Sequence, residues 1–262
     1  MFERFKKDLD KYSKYIKYST KSQLKAEITG SYLSWMWLII EPICFMFIYS
    51  FIALVVFKSE IPYFAVFIFI GLTIWTFFQK TLKQSVRLIS SNKDTVTKVY
   101  LPKFVLLITK VSVNGVKFLI SFSLVIISMI LFQVPISINV VYFLLVCAVL
   151  LLFTFGLSLF FMHLGVFVKD LNNITDIALR MLFYMSGIFF ALEQRVPAPY
   201  NELLVKVNPI AFCIVESRKV LLYKGTPDFL LLGIWGLIGF LLCYFGIKTI
   251  YKYENTYVKV MK

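Results

Sequence analysis

Six long apolar stretches dominate this sequence and limit what it can fold into. They occupy residues 35–57, 62–79, 104–132, 140–168, 177–192 and 229–250. All but the short fifth stretch approach or exceed the roughly 20 residues that an α-helix needs to cross a bilayer. With 60% hydrophobic and 16% charged residues, the chain has more apolar surface than a water-soluble fold can bury. The sequence therefore predicts an all-α integral membrane protein with six transmembrane helices.

Residues 1–30 form a separate predicted unit, and residues 31–262 form the membrane domain. In the first unit, an apolar stripe recurs at helical spacing, while lysines occupy most of the remaining surface. The stripe consists of Phe2, Phe5, Leu9, Tyr12 and Ile16. A basic amphipathic helix of this kind lies in the lipid headgroup layer. The alternative is a solvated helix that docks on its own protein.

The segment between the fifth and sixth stretches, residues 193–228, is neither a simple loop nor a simple span. It contains Pro197, Pro199, Pro209 and Pro227, with short apolar pieces between them. Prolines at these intervals divide a helix into short pieces. The segment is therefore predicted to form re-entrant or interfacial helices.

The distribution of Lys and Arg predicts the orientation. The first 34 residues carry eight of these basic residues, 80–103 carry six, and 248–262 carry four, whereas 133–139 carry none. Cytoplasmic loops of membrane proteins are enriched in Lys and Arg. Both termini are therefore predicted to be cytoplasmic, although 193–228 carries five basic residues on the predicted outer side.

Residues suited to catalysis or metal binding are few. His163 is the single histidine, the four cysteines show no metal-ligand spacing, and no G-x-x-x-x-G-K-[ST] phosphate loop occurs. We predict no catalytic residue, no metal site and no cofactor bound by this chain. Charged residues in or near the apolar stretches are interpreted either as structural ion pairs or as functional groups. They are Glu41, Lys110, Lys117 and Arg180.

Three blocks of sequence resemble the permease subunits of type-2 ABC exporters for polysaccharides and polyol phosphates, the O-antigen, teichoic acid and capsule exporters. The first is SYLSWMWLIIEP at 31–42, in which Ser34 stands where the family usually has Gly. The second combines GLTIWTFF at 71–78, the turn around Asn92 and KVYLP at 98–102. The third comprises FVKDL at 167–171, SGIF at 186–189, Val196-Pro197, Asn208-Pro209 and Arg218.

The resemblance implies an assembly of two copies of this chain with two ABC ATPase subunits that bind ATP and Mg²⁺, in the inner (cytoplasmic) membrane of a bacterium. Region 80–103 would couple to the ATPase, and 193–228 would form re-entrant helices at the outer mouth. The implied coupling residues are Ser90, Ser91, Asn92, Lys93 and Asp94. The implied substrate is a glycan on a polyprenyl-pyrophosphate carrier, with no role for nucleic acid.

Aromatic and basic residues are candidates for the path of such a substrate. Flat aromatic faces suit sugar rings, and we predict that a channel is lined by Trp75, Phe78, Phe183, Tyr184 and Phe189. Cations suit a pyrophosphate group, and we predict that an entrance is formed by Lys14, Lys17, Lys21, Lys25 and Arg87.

Two alternatives remain at this point. The first is a related permease for a lipid, drug or peptide, because substrates diverge on one scaffold. The second is a membrane glycosyl or phosphate transferase, which needs an acidic or metal-binding cluster near the membrane surface. Asp170 and Asp176 are the closest acidic pair at the fourth-to-fifth junction.

Overall fold

The computed structural model describes residues 2–29, 34–52, 55 and 61–261, and in these residues the chain forms helices and connecting turns. A 3-10 turn at Ile138–Tyr142 precedes α7. The helices are α1 Phe2–Thr29, α2 Ser34–Phe51, α3 Phe64–Val86, α4 Leu88–Ser91, α5 Lys93–Lys98, α6 Lys103–Leu131, α7 Phe143–Phe167, α8 Leu171–Met185, α9 Leu192–Arg195, α10 Tyr200–Val207, α11 Pro209–Leu221, α12 Phe229–Lys252 and α13 Glu254–Met261.

Within the described ranges, four helices are long and apolar enough to cross a membrane. They are α3, α6, α7 together with its preceding 3-10 turn, and α12. They coincide with the second, third, fourth and sixth predicted stretches. Helix α3 continues past residue 79 to Val86 because Lys80 and Lys83, which end the apolar run, are good helix formers.

The first and fifth predicted spans correspond to shorter helices. Helix α2 has 18 residues and contains Pro42; residues 53, 54 and 56–60, the end of the first predicted span, lie outside the described residues. Helix α8 begins at Leu171, six residues before the predicted 177, and ends at Met185. Its 15 residues extend about 22 Å, less than the roughly 30 Å of hydrocarbon. The predicted bounds of the fifth span, 177–192, are therefore wrong.

The bounds of α8 have identifiable physical causes. Its polar first half is stabilised by an ion pair between Asp176 and Lys83 of α3, at 2.9 Å. The helix stops where Gly187 adopts a left-handed conformation with φ +63°, which terminates helices readily. Phe189 and Phe190, which belong to the apolar run, therefore lie beyond the helix.

Helices α7 and α12 approach each other closely through glycines. A Cβ at Gly156 of α7 would lie 2.6 Å from the Leu242 Cβ, and one at Gly246 of α12 would lie 2.7 Å from the Leu159 Cβ. Small residues permit such close contact between membrane helices, whose association depends on van der Waals packing. This helix pair is therefore one of the closely packed parts of the fold.

Helix α1 docks on the protein through its predicted apolar stripe. The Phe5 ring lies 5.0 Å from that of Phe104 at the start of α6, and Ile16 is buried. Farther along, Glu27 pairs with Lys117 of α6. Phe5, Leu9, Tyr12 and Ile16 of the stripe thus pack against α6 and its neighbours. The position of α1 in the lipid headgroup layer stays a prediction.

The segment 193–228 contains the short helices α9, α10 and α11, separated near the prolines as predicted. The Asn208 side chain caps α11 by accepting hydrogen bonds from the N–H groups of Ile210 and Ala211, at 3.0 and 3.2 Å. Pro209 occupies the first turn of α11, where its missing N–H has no cost. The depth of these helices in a membrane stays a prediction.

Arg218 connects α11 to α3 and to the end of α8. Its side chain is buried and donates to the carbonyl oxygens of Phe67 (3.0 Å), Gly187 (2.7 Å) and Ile188 (2.8 Å). Gly71 leaves room for the guanidinium group, because a Cβ there would lie 2.7 Å from Nη2. Gly71, Gly187 and Arg218, which all belong to the blocks that resemble the exporter family, therefore take part in one buried contact between α3, α11 and the turn after α8.

Candidate functional site

A cavity of about 430 Å³ lies between α2, α3, α6 and α8. Its volume is in the range of small-ligand pockets. Helix α3 contributes residues from Leu72 to Lys83, a length of roughly 17 Å at 1.5 Å per residue. Lys80 and Lys83 line the end of the cavity nearer α4, and Leu72 and Thr73 line the opposite end.

Polar residues reach this cavity as stripes on two facing helices. Helix α3 contributes Thr73, Thr76, Lys80 and Lys83, and α6 contributes Asn114, Lys117 and Ser121. Both sets recur every three or four residues, so each occupies one helix face. Polar stripes on membrane helices face a cavity or another helix because exposure of such groups to lipid is unfavourable.

Each of the three cavity lysines has a carboxylate partner on another helix. Lys80 lies 3.5 Å from Glu41 of α2, and Lys83 lies 2.9 Å from Asp176 of α8. Lys117 pairs with Glu27 of α1. The three cavity lysines are therefore members of ion pairs, in agreement with the interpretation of Glu41 and Lys117 as structural pair members.

The aromatic wall of the cavity consists of Phe45, Trp75, Phe77, Phe118 and Phe183. The Trp75 and Phe183 rings lie 5.4 Å apart, and the Trp75 indole N–H donates to the Gln79 Oε1 at 2.8 Å. This hydrogen bond holds the indole in one orientation. The cavity therefore presents fixed aromatic faces beside hydroxyl and amide groups.

The five residues predicted to line a channel form one group of neighbouring rings. Phe183 contacts Trp75, Tyr184 and Phe189, and Trp75 contacts Phe78, at centroid distances between 5.1 and 5.9 Å. Trp75 and Phe78 are nevertheless buried at 3% and 1% exposure, whereas Tyr184 is 68% exposed. Only Trp75 and Phe183 of the five border the cavity.

The predicted coupling residues lie on the short helices α4 and α5 and the turn between them. Ser90, Ser91, Lys93 and Asp94 are exposed. The Asn92 side chain instead faces its own segment, donating to the Leu88 carbonyl oxygen at 2.8 Å. Buried residues hold the segment in place: Leu88, Ile89 and Val96.

The predicted entrance lysines lie on α1 away from its docked face. Lys14, Lys17, Lys21 and Lys25 are exposed and follow one another at helical spacing. Arg87 is exposed at the end of α3. None of the five borders the cavity. The basic residues that border it are Lys80, Lys83 and Lys117, which were not among the predicted entrance residues. The recurrence of polar residues at 73, 76, 80 and 83 is the sequence signal that identifies them.

Two of the remaining candidates for chemistry, His163 and Asp176, have structural contacts. The His163 Nδ1 lies 2.8 Å from the Tyr257 hydroxyl group of α13, and Asp176 is engaged by Lys83. Among the described residues, no group of three or more His, Cys, Asp or Glu side chains is placed to hold a metal ion.

Comparison with known proteins places the sequence among transport proteins. Residues 15–222 match the family described as ABC-2 type transporter. An O-antigen export system permease protein RfbA of Klebsiella pneumoniae is 25% identical over 92% of this chain and 93% of its own length. A protein of the same name from Myxococcus xanthus is 28% identical over 79% of each chain.

Proposed function

Because the chain belongs to the ABC-2 type transporter family, we propose that it is the channel-forming permease subunit of an ATP-driven polysaccharide exporter. The substrate is a glycan linked to polyprenyl pyrophosphate, moved from the cytoplasm across the bacterial inner membrane. The observation that carries the proposal is the alignment with two O-antigen export permeases from Klebsiella pneumoniae over 92% of this chain.

In the proposed topology, α2 and α8 join the four long helices to give six spans with both termini in the cytoplasm. The basic residues between α3 and α6 and at both chain ends support this orientation. Helices α10 and α11 form a re-entrant pair on the outer side. The buried Arg218 anchors this pair to α3 through the Phe67 carbonyl oxygen.

The functional assembly consists of two copies of this chain and two ATPase subunits, with ATP and Mg²⁺ bound by the ATPases. Helices α4 and α5 present Ser90, Ser91, Lys93 and Asp94 to the ATPase. These four side chains are exposed, whereas Leu88 and Ile89 of the same segment are buried in the protein. A movement of the bound ATPase would therefore be transmitted through this segment to α3 and α6. The lysine stripe of α1 and Arg87 contact the pyrophosphate group and anionic lipid at the cytoplasmic surface.

Reversing two exposed charges in this segment tests the coupling proposal. The double variant Lys93→Glu, Asp94→Arg is expected to reduce recovery of the copurified ATPase about tenfold, equivalent to roughly 1.4 kcal/mol of binding free energy. Both side chains are exposed, so insertion and thermal stability of the permease should be unchanged. Affinity purification of a tagged permease, followed by quantification of the ATPase, measures the effect.

A matched control reverses the exposed pair on α10. Glu202 and Lys206 form an ion pair at 2.9 Å, and the variant Glu202→Arg, Lys206→Glu should retain the ATPase. Equal recovery of the ATPase with both double variants would contradict the assignment of α4 and α5. Asn92 is unsuitable for this test because its side chain holds the turn together.

Depletion of the protein tests the transport function itself. We expect surface polysaccharide to fall while lipid-linked glycan accumulates in the inner membrane, because synthesis continues when export stops. Quantifying both pools by mass spectrometry of extracted lipids and of surface glycan distinguishes the alternatives. Loss of both pools would indicate a transferase, and no change in either would indicate a permease for a lipid, drug or peptide.

A further inference from the structure

Both terminal helices pack on the same apolar core as the coupling region 80–103. This core is distinct from the one beside the cavity, and it joins α1 and α13 to α4, α5, α6, α7 and α12. Its buried members from the coupling region and from the terminal helices include Leu88, Ile89, Val96, Leu101, Ile16 and Tyr257. The coupling region therefore rests on both terminal helices.

Arg4 of α1 connects the coupling region to α13 at the edge of this core. Its Nη2 donates to the Tyr100 hydroxyl group at 2.9 Å and to the Glu254 Oε2 at 3.0 Å. The Tyr100 hydroxyl group also interacts with the Glu254 carboxylate. These three residues form a terminal clamp that joins α1, the connection before α6, and α13.

Two further hydrogen bonds support the terminal clamp. The Tyr12 hydroxyl group donates to the main-chain carbonyl oxygen of Tyr100 at 3.2 Å. The Tyr251 hydroxyl group donates to the Asp8 Oδ2 at 2.7 Å. Because Arg4, Asp8 and Tyr12 recur every four residues, they lie on one face of α1. This face is therefore held by residue 100 on one side and by the end of α12 and the start of α13 on the other.

The connection between α5 and α6 is the part of the coupling region that the core holds least. It covers residues 99–102, which are not helical. Leu101 and Pro102 are buried, whereas Val99 and Tyr100 are 59% and 58% exposed. A non-helical segment absorbs a displacement by changing its φ and ψ angles. Without a further contact, a movement of α5 would therefore be taken up at Val99 and Tyr100 before it reached α6.

Helix α13 supplies a fixed point for the terminal clamp. Tyr257 is fully buried, and its hydroxyl group lies 2.8 Å from the His163 Nδ1 of α7. Glu254, on the preceding turn, is also buried and presents its carboxylate to Arg4. Hydrogen bonds between charged groups are stronger than those between neutral groups. Arg4 therefore ties the exposed Tyr100 to a residue that is itself anchored on α7.

We propose that Arg4 and Glu254 are positioning residues for the coupling of ATP hydrolysis to export. By holding Tyr100, the terminal clamp stiffens the connection between α5 and α6, so that a displacement of α5 by the ATPase is passed on to α6. The inference rests on the proposed function, because it adds both chain ends to the coupling by residues 80–103. Both residues lie outside residues 15–222, which match the ABC-2 type transporter family.

The mobility of a spin label at Val99 tests the positioning. The permease and its copurified ATPase are placed in lipid nanodiscs, with Val99→Cys carrying the nitroxide and the exposed Cys44 replaced by alanine. The variants are Arg4→Met and the isosteric Glu254→Gln. Each should raise the population of the mobile spectral component about threefold to tenfold, the effect of one hydrogen bond. The double variant should add little, because both substitutions break one linkage.

Two further variants keep this measurement specific. Lys6→Met removes an exposed positive charge from the same part of α1 and should leave the label as immobile as in the wild type. Tyr100→Phe removes only the hydroxyl group of an exposed side chain, so folding should be unaffected and the label should become mobile. If Arg4→Met does not insert, Tyr100→Phe decides the question.

The same variants without the label separate coupling from a merely structural role. ATP hydrolysis by the purified assembly, recovery of the ATPase and Tm should be nearly unchanged in Arg4→Met and Tyr100→Phe. Surface polysaccharide in cells that carry these variants should fall about threefold to tenfold. A residue that only supports the fold would instead lower Tm, ATPase recovery and hydrolysis in parallel.

Three results would overturn the inference. They are an immobile label in both Arg4→Met and Tyr100→Phe, an equal gain of mobility in Lys6→Met, and a mobile label with undiminished export. A parallel loss of Tm and hydrolysis would also reject it in favour of a structural role. These outcomes leave the proposed export function standing. Conversely, unchanged glycan pools after depletion contradict the export function, whereas the label mobility requires no substrate and remains interpretable.

Discussion

Replacing Arg218 by methionine is expected to destabilise the protein severely. The substitution leaves the carbonyl oxygens of Gly187 and Ile188 without a donor. It also removes the side-chain hydrogen bond to the Phe67 carbonyl oxygen, which lies inside α3. At about 1–3 kcal/mol for each unsatisfied acceptor, the free energy of unfolding falls by several kcal/mol. The corresponding fall in Tm is on the order of 10 °C, measured by fluorescence-detected size-exclusion chromatography after heating.

The arginine controls separate this role from a general need for positive charge. Arg180→Met removes an exposed arginine from α8 and should leave Tm nearly unchanged. Arg218→Lys retains the charge but not the planar fork that reaches three carbonyl groups, so an intermediate Tm is expected. A wild-type Tm for Arg218→Met would show that these hydrogen bonds do not support the fold.

The length and periodicity of the apolar stretches allow most of the helical layout to be predicted. The stretches 104–132, 140–168 and 229–250 correspond closely to Lys103–Leu131, Ile138–Phe167 and Phe229–Lys252. These segments are almost uniformly apolar, so hydropathy alone locates them.

The fifth helix is harder to predict because its stability depends on a distant partner. Asp176 appears unfavourable in an apolar helix until Lys83 of α3 is placed 2.9 Å away. Hydropathy along the sequence carries no information about this ion pair. A prediction based on hydropathy alone therefore places the start of the helix too late.

The aromatic residues show a second limit of sequence reasoning. Their abundance predicts an aromatic region, and the structure does group Trp75, Phe78, Phe183, Tyr184 and Phe189. Composition cannot show which rings face the interior, because lipid-facing and buried positions of a membrane helix are both apolar. Alanine substitution of Trp75 or Phe78 would therefore alter the core as well as any substrate contact.

The polar residues of α3 recur at a helical period that fits either a packed helix face or the wall of a cavity. Only the position of the neighbouring helices distinguishes the two. Thr73 and Asn114 belong to different helices, and only the structure shows that both residues line one cavity. The positions of Lys80 and Lys83 in the sequence indicate the end of a span. In the structure, they line a cavity and pair with carboxylates of α2 and α8.

Gly165→Ala is expected to have the second large effect because no space exists for a methyl group. A Cβ at Gly165 of α7 would overlap the main-chain carbonyl group of Val86, at the end of α3. Backbone atoms cannot rotate away as a side chain can, so α7 must separate from α3 at Val86, within the proposed coupling region 80–103. We expect a cost of about 1–3 kcal/mol or more from overpacking, with a lower Tm and less copurified ATPase.

Gly115→Ala on α6 provides the matched comparison, since a Cβ there would meet nothing within 4 Å. Alanine is favoured over glycine in a helix interior by about 0.5–1 kcal/mol, so this variant should be neutral or more stable. The opposite signs of the two substitutions follow from the α7–α3 contact alone, because the chemical change is identical. If Gly165→Ala matches Gly115→Ala in both Tm and ATPase recovery, the close approach of α7 to Val86 does not position the coupling segment.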